Sequence, residues 1–236
     1  MDTLPIITSP HFSNLTLTWW MIAFLVLIGI QLVIPAYFRR NQAALIISVG
    51  VLFMALGYLA ALLPYYLYPG DLVMIGWFAN VVAETVWYAG YACFGLVVIT
   101  TQFRRISGGW AVAMFILGLG VVSASAYFYQ PPTLLASFTY DFHRLFVADF
   151  LPFSYGLILA FGLGRFFLSG YRGDRARRVT AWLVTIGTLL VVVPQPVSTI
   201  VDSVELKFYL QLVSVFGLVL VLAGLWRGAK KVKSGV

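Results

Sequence analysis

Apolar runs of about 20 residues, one after another, decide what this chain can fold into. A helix of that length crosses the roughly 30 Å hydrocarbon layer of a bilayer. Water is absent at that depth, so each run must pair its own N–H and C=O groups, and a helix does this within one segment. Seven runs can be drawn: about Thr16–Phe38, Ala43–Leu63, Asp71–Arg105, Trp110–Tyr129, Phe146–Leu168, Val179–Ile200 and Leu206–Trp226. Only 10% of the 236 residues are charged, against about 25% in a soluble domain. The expected fold is all-α: one polytopic domain over residues 1–236, with seven transmembrane helices in the lipid bilayer of the cell membrane. The first run is too long for a signal peptide and lacks a basic leader, so it should be retained.

The basic residues set direction. Arg39, Arg40, Arg104, Arg105, Arg165, Arg172, Arg175, Arg177, Arg178, Arg227, Lys230, Lys231 and Lys233 share one set of helix ends, and Arg144 and Lys207 take the other. Basic residues concentrate on the cytoplasmic side, which places the N-terminus outside, the C-terminus in the cytoplasm and an odd number of crossings between them. Trp19, Trp20, Tyr65, Tyr66, Tyr68, Tyr127 and Tyr129 then form an aromatic belt at the outer interface. The +7 net charge is thereby a topology signal, and no nucleic-acid partner is expected. The single cysteine, Cys93, excludes an internal disulfide and a multi-cysteine metal centre. His11 and His143 fall outside the apolar runs, which disfavours an integral haem held between facing helices. No metal site is expected, and no catalytic residue, because no nucleophile stands in pattern with a base.

Polar residues inside the runs mark candidate chemistry. Glu84 is an acid with long apolar sequence on both sides. Asn80, Glu84, Tyr88 and Tyr91 recur at helical spacing and share one face. A carboxylate at bilayer depth is expensive, so it should face protein or water. Asp149 falls in the first turns of the fifth run. Gln195 and Thr199 lie in the outer part of the sixth, with Asp202 just beyond, and Gln211 lies in the outer part of the seventh. If the third, fifth, sixth and seventh helices adjoin, these residues line an outward-facing ligand pocket with Glu84 at its floor. The competing reading makes each one interhelical glue, bonded to a neighbouring helix. Pro194 and Pro196 remove backbone donors and interrupt the sixth helix locally.

Three families share parts of this layout. The seven-helix, N-outside arrangement resembles the microbial rhodopsins. They hold retinal on a mid-membrane lysine of the last helix. Here that helix carries Lys207 at its outer end, so covalent retinal is disfavoured. Pro194-Gln195 resembles the PQ-loop carriers, without a matching Pro-Gln in the first helix. The closest resemblance is to seven-helix membrane sensor modules of the kind found ahead of histidine kinases. It is carried by PFSYGLILAFGLGRFF, the Arg-rich loop after it and the run AWLVTIGTLLVVVP. That resemblance implies a receptor- or sensor-like protein whose signal passes to a separate protein partner, or within a homo-oligomer. Two other readings remain open: a non-catalytic accessory subunit of a larger membrane complex, and a small carrier or proton-linked transporter using Glu84.

Overall fold

Arg40 makes the first turn of the chain by entering the left-handed region, at φ 52°. In this computed structural model, which describes residues 10–38, 40–102, 109–136, 139–141, 146–169, 175–194, 197 and 203–233, it joins α1 (Pro10–Phe38) to α2 (Gln42–Leu67). The Arg40 N–H bonds the Tyr37 carbonyl at 3.2 Å, and the Asn41 N–H bonds the Ala36 carbonyl at 2.9 Å. This pair of bonds closes the last turn of α1 as a Schellman motif. The Asn41 side chain then caps α2, accepting from the Ala44 N–H at 3.2 Å. Deeper in the pair, buried Ser48 donates to the Gly29 carbonyl 2.7 Å away. Such bonds hold helices together where lipid offers no partner.

Asp71 starts α3, its carboxylate accepting from the Met74 N–H at 3.0 Å, where the helix dipole favours negative charge. α3 runs as α-helix over Leu72–Trp77, as π-helix over Phe78–Ala83 and again as α-helix over Glu84–Gln102. α4 spans Gly109–Tyr127. A short antiparallel ribbon follows, β1 (Thr133–Ala136) against β2 (Thr139–Asp141), with Thr133 opposite Asp141. α5 (Phe146–Ser169), α6 (Arg175–Val192) and α7 (Val204–Lys233) complete the described fold.

Helices α1, α2, α3, α5, α6 and α7 form a closed circuit, each packed on the next and α7 returning to α1. α4 packs outside the circuit against α3, with a lighter contact to α5. The core brings together Met21, Leu25 and Ile28 of α1, Ile47, Val51 and Ala55 of α2, Val97 and Val98 of α3, Leu159 of α5 and Leu218 of α7. α6 and α7 approach closely: a methyl group on Gly217 would stand 2.6 Å from the Gly187 carbonyl oxygen.

Among the described residues, five helical stretches are long and apolar enough to cross a membrane: Leu15–Phe38, Gln42–Leu67, Leu72–Thr101, Gly109–Tyr127 and Glu205–Arg227. The apolar parts of α5 (Val147–Gly162) and α6 (Arg178–Val192) are shorter. Large apolar side chains such as Trp20, Ile116, Phe161, Trp182 and Phe216 stand on the outer surface. A contiguous surface of this kind suits lipid and is rare on a soluble monomer.

Several boundaries differ from those read in the sequence. The ribbon lies in Thr133–Leu145, between the fourth and fifth apolar runs, where no regular element was expected. Arg175–Arg178, expected in a basic loop, form the first turn of α6, because arginine and alanine are good helix formers. α7 continues past Trp226 to Lys233, since extending an existing helix is far easier than nucleating one. α1 begins at Pro10 rather than Thr16, with proline in the first-turn position it tolerates best. The regular helix of α6 is interrupted at Val193, and Pro194 and Val197 are helical again, because the residue preceding Pro194 is steered away from helical geometry.

The chain leaving α4 is fastened to the start of α3. The Tyr129 hydroxyl donates to the Val73 carbonyl at 2.8 Å, and its ring stands edge-on to Trp77 with centroids 5.8 Å apart. Burial, and secondarily the Asp71 carboxylate, raise the Tyr129 pKa above its ordinary value of 10.0. The folded chain therefore holds this proton more tightly than the unfolded chain. The contribution to stability is intact below about pH 10 and falls as pH climbs above that value. Thermal melts in detergent should show a loss of stability above about pH 10 that is smaller in Tyr129→Phe, and an identical alkaline profile in the two proteins counts against this fastening.

Candidate functional site

Asn80, Glu84 and Tyr88 stand in one column on α3 and are all buried, at 4%, 2% and 1% exposure. The π-helical turn ends where Glu84 begins the second α-helical part. A π turn inserts an extra residue into the α-helical ladder, and such turns recur at functional sites. Inside it, the Val81 carbonyl accepts from the Glu84 N–H and, at 2.7 Å, from the Thr85 hydroxyl. The side chain of Thr85 thus supports a backbone that the regular helix no longer pairs in the usual way. Nothing in FANVVA announces this turn, which has the composition of any apolar helix.

Below Glu84 the column becomes aromatic. Tyr88, Tyr91 and Tyr155 form a triangle with ring centroids 6.2 to 6.3 Å apart. Tyr155, from α5, donates to the Met114 carbonyl of α4 at 3.2 Å. Its ring therefore ties α3, α4 and α5 at one level. Gly118 of α4 makes room for Tyr88: a side chain there would run into the ring. Val122 and Tyr155 bury Tyr88 together with Val81, Phe115 and Leu151.

This contact also sets the depth of the remaining candidates. Tyr88 and Tyr155 meet on neighbouring helices that run in the same direction. Glu84 lies four residues before one and Asp149 six before the other. At about 1.5 Å per residue these are ~6 Å and ~9 Å toward the ribbon end, less than one turn apart in depth. Asp149 is half-buried in the first turn of α5, where the helix dipole favours a carboxylate. The fold therefore sets Asp149 at a depth close to that of Glu84, on the helix that adjoins the column of Asn80, Glu84 and Tyr88.

Gln211 is half-buried on α7, whose main neighbours are α1 and α6, across the circuit from α3. Among the described residues its buried Oε1 has no hydrogen-bond partner. Gln195, Thr199 and Asp202 lie outside the described residues. One residue missed in the sequence belongs near the column: Ser125 of α4, buried, with a hydroxyl that has no hydrogen-bond partner among the described residues. It lies seven residues, about 10 Å, beyond Gly118 toward the ribbon end, at the depth of Asn80 and Glu84. One hydroxyl in VVSASAY gives no positional signal until α4 is docked on α3. Among the described residues no group of three or more His, Cys, Asp or Glu side chains is placed to hold a metal ion.

Together these features define a helical membrane protein with a buried polar column inside its bundle. No family model, curated relative or solved structure matches the chain.

The seat of Tyr88 can be probed from α4. Gly118→Val should lower the melting temperature in detergent, by overpacking of about 1–3 kcal/mol. Gly120→Val meets nothing within 4 Å and should leave stability nearly unchanged. Equal effects from the two substitutions would show that Tyr88 is not held against α4 in this way.

Proposed function

We propose that the chain crosses the membrane seven times, N-terminus outside and C-terminus cytoplasmic, as a receptor- or sensor-like protein that signals through a partner. On this reading α5 and α6 supply the two crossings beyond the five long apolar stretches. The ribbon end faces outward, and the arginine-rich end lies in the cytoplasm. A ligand enters the outer half of the bundle and is read by Glu84, with Asn80 one turn above and Tyr88 one turn below.

The observation that carries this reading is the burial of Glu84 beside a π turn, with Asp149 at similar depth on the adjoining helix. Burying a carboxyl group among apolar helices is costly, and α-helical pairing is given up at the same place. Glue alone requires neither feature. Neighbouring helices α1 and α2 are joined by a neutral serine bonded to a carbonyl.

A second reading, an accessory subunit of a larger membrane complex, draws support from α4. Only 22% of its apolar window is buried within the chain, against 39% for α2 and α3. The face bearing Val112, Ile116 and Leu117 is open to lipid or to a helix of another protein. Co-purification with a stoichiometric partner in mild detergent would favour this reading.

Glu84→Gln keeps the shape of the side chain and removes its ability to ionise. It should leave the melting temperature close to wild type while changing ligand binding, or the pH dependence of a ligand-induced thermal shift. If Glu84→Gln and Asn80→Ala both match wild type in every binding and thermal-shift assay, the pocket reading fails.

Orientation is tested separately, in a Cys93→Ser background. A cysteine at exposed Pro69 should react with an impermeant thiol reagent on intact cells, and one at exposed Gln42 only after permeabilisation. The reverse pattern overturns the orientation.

A further inference from the structure

The excess positive charge of the chain is concentrated in two short segments. Residues 172–178 and 227–233 carry eight cations, Arg172, Arg175, Arg177, Arg178, Arg227, Lys230, Lys231 and Lys233, against the single acid Asp174. The other seven cations and seven acids of the chain cancel, so these segments account for the whole net charge of +7.

The fold brings the start of α6 alongside the end of α7. α6 and α7 run antiparallel in close contact, and Gly224 sits against the first turns of α6. A methyl group there would stand 3.2 Å from the Thr180 carbonyl oxygen and 3.1 Å from Leu183 Cβ. One turn further along α7, Arg227 comes level with the start of α6, where Arg178 lies. Both arginines are exposed, and neither forms an ion pair with a described residue. α7 stays helical through Lys233, so positions 227, 230 and 231 share one face at helical spacing.

Electrostatics then asks for an anion. The N-terminus of a helix is its positive end, where acidic residues are favoured and basic ones are not. The first turn of α6 has no acid and holds Arg175, Arg177 and Arg178. The cationic end of α7 lies alongside. An anion at this junction relieves the repulsion between the guanidinium groups, and the N–H groups that any helix start leaves without intrahelical partners can receive it. Trp226, exposed beside Arg227, supplies the amphipathic ring typical of the headgroup layer.

We propose that the adjoining arginine-rich ends of α6 and α7 form a site for the phosphate of an anionic phospholipid headgroup. Basic clusters next to a transmembrane helix recruit such lipids. A lipid seated here would brace a helix pair whose adjoining ends are both cationic. Assignment of the site to the cytoplasmic leaflet rests on the orientation proposed above; binding itself does not.

The test uses the full chain in neutral detergent, titrated separately with phosphatidylglycerol, phosphatidylcholine and inorganic phosphate, with bound lipid counted by native mass spectrometry. Phosphatidylglycerol should be retained under conditions that strip phosphatidylcholine. The double variant Arg178→Gln/Arg227→Gln should weaken that retention about 25-fold, at about fivefold per charge. Arg40→Gln/Arg165→Gln removes two exposed arginines elsewhere at the same end and should keep wild-type retention. Equal loss in both pairs, or no loss in either, overturns the site. Displacement of the lipid by millimolar inorganic phosphate would show a free-anion site and overturn the lipid assignment. Thiol labelling at Pro69 and Gln42 reports orientation independently, so a reversed topology leaves headgroup binding in place and a loss of binding leaves the topology in place.

Discussion

Every other feature of this protein follows from backbone hydrogen bonding in a medium without water. A peptide group left unpaired in hydrocarbon costs several kcal/mol, so the apolar segments must be helices and their interruptions must be supported. The π turn of α3 is the clearest case. It gives up regular α-helical pairing over Phe78–Ala83, and the Thr85 hydroxyl comes to the Val81 carbonyl in compensation. At the exposed helix ends the closing bonds around Arg40 and Asn41 and the Asp71 cap satisfy the terminal groups that a helix leaves unpaired.

Between helices the hydrophobic effect has little to offer, because lipid is as apolar as leucine. Association falls to close packing and to a few polar contacts. Gly187 and Gly217 bring α6 and α7 within backbone contact. Ser48 bonds the Gly29 carbonyl across α1 and α2. Tyr155 links α5 to α4 while its ring packs against Tyr88 and Tyr91 of α3. Glu84 sits directly above this aromatic junction. A change at the carboxyl group therefore bears on three helices at once.

The two ends of the bundle contrast in charge. At the ribbon end, Tyr129 and Trp77 fasten the chain after α4 to α3, near the Asp71 carboxylate. At the opposite end, α6 and α7 carry cations side by side where the helix dipole makes one set unfavourable. One end is held by hydrogen bonds within the chain. The other is a place where an outside anion would add stability.

Hydropathy alone was enough to mark seven helical segments in the sequence, because runs of apolar residues have one solution in lipid. The column of Asn80, Glu84 and Tyr88 was legible too, since a spacing of four residues repeats on a helix face whatever the helix packs against. Helix ends were less legible: Arg175–Arg178 and the stretch to Lys233 read as polar tails, yet an established helix extends through residues that favour it. Tertiary structure alone decided which faces meet. It placed Asp149 near the depth of Glu84 through the Tyr88–Tyr155 contact, put Gln211 across the circuit, brought Ser125 beside the column and set the α6 and α7 cations together. None of these could be read along the chain, because they depend on where glycines let helices approach and on how far one helix slides along another. Periodicity within a segment is a local property of sequence, and register between segments is not.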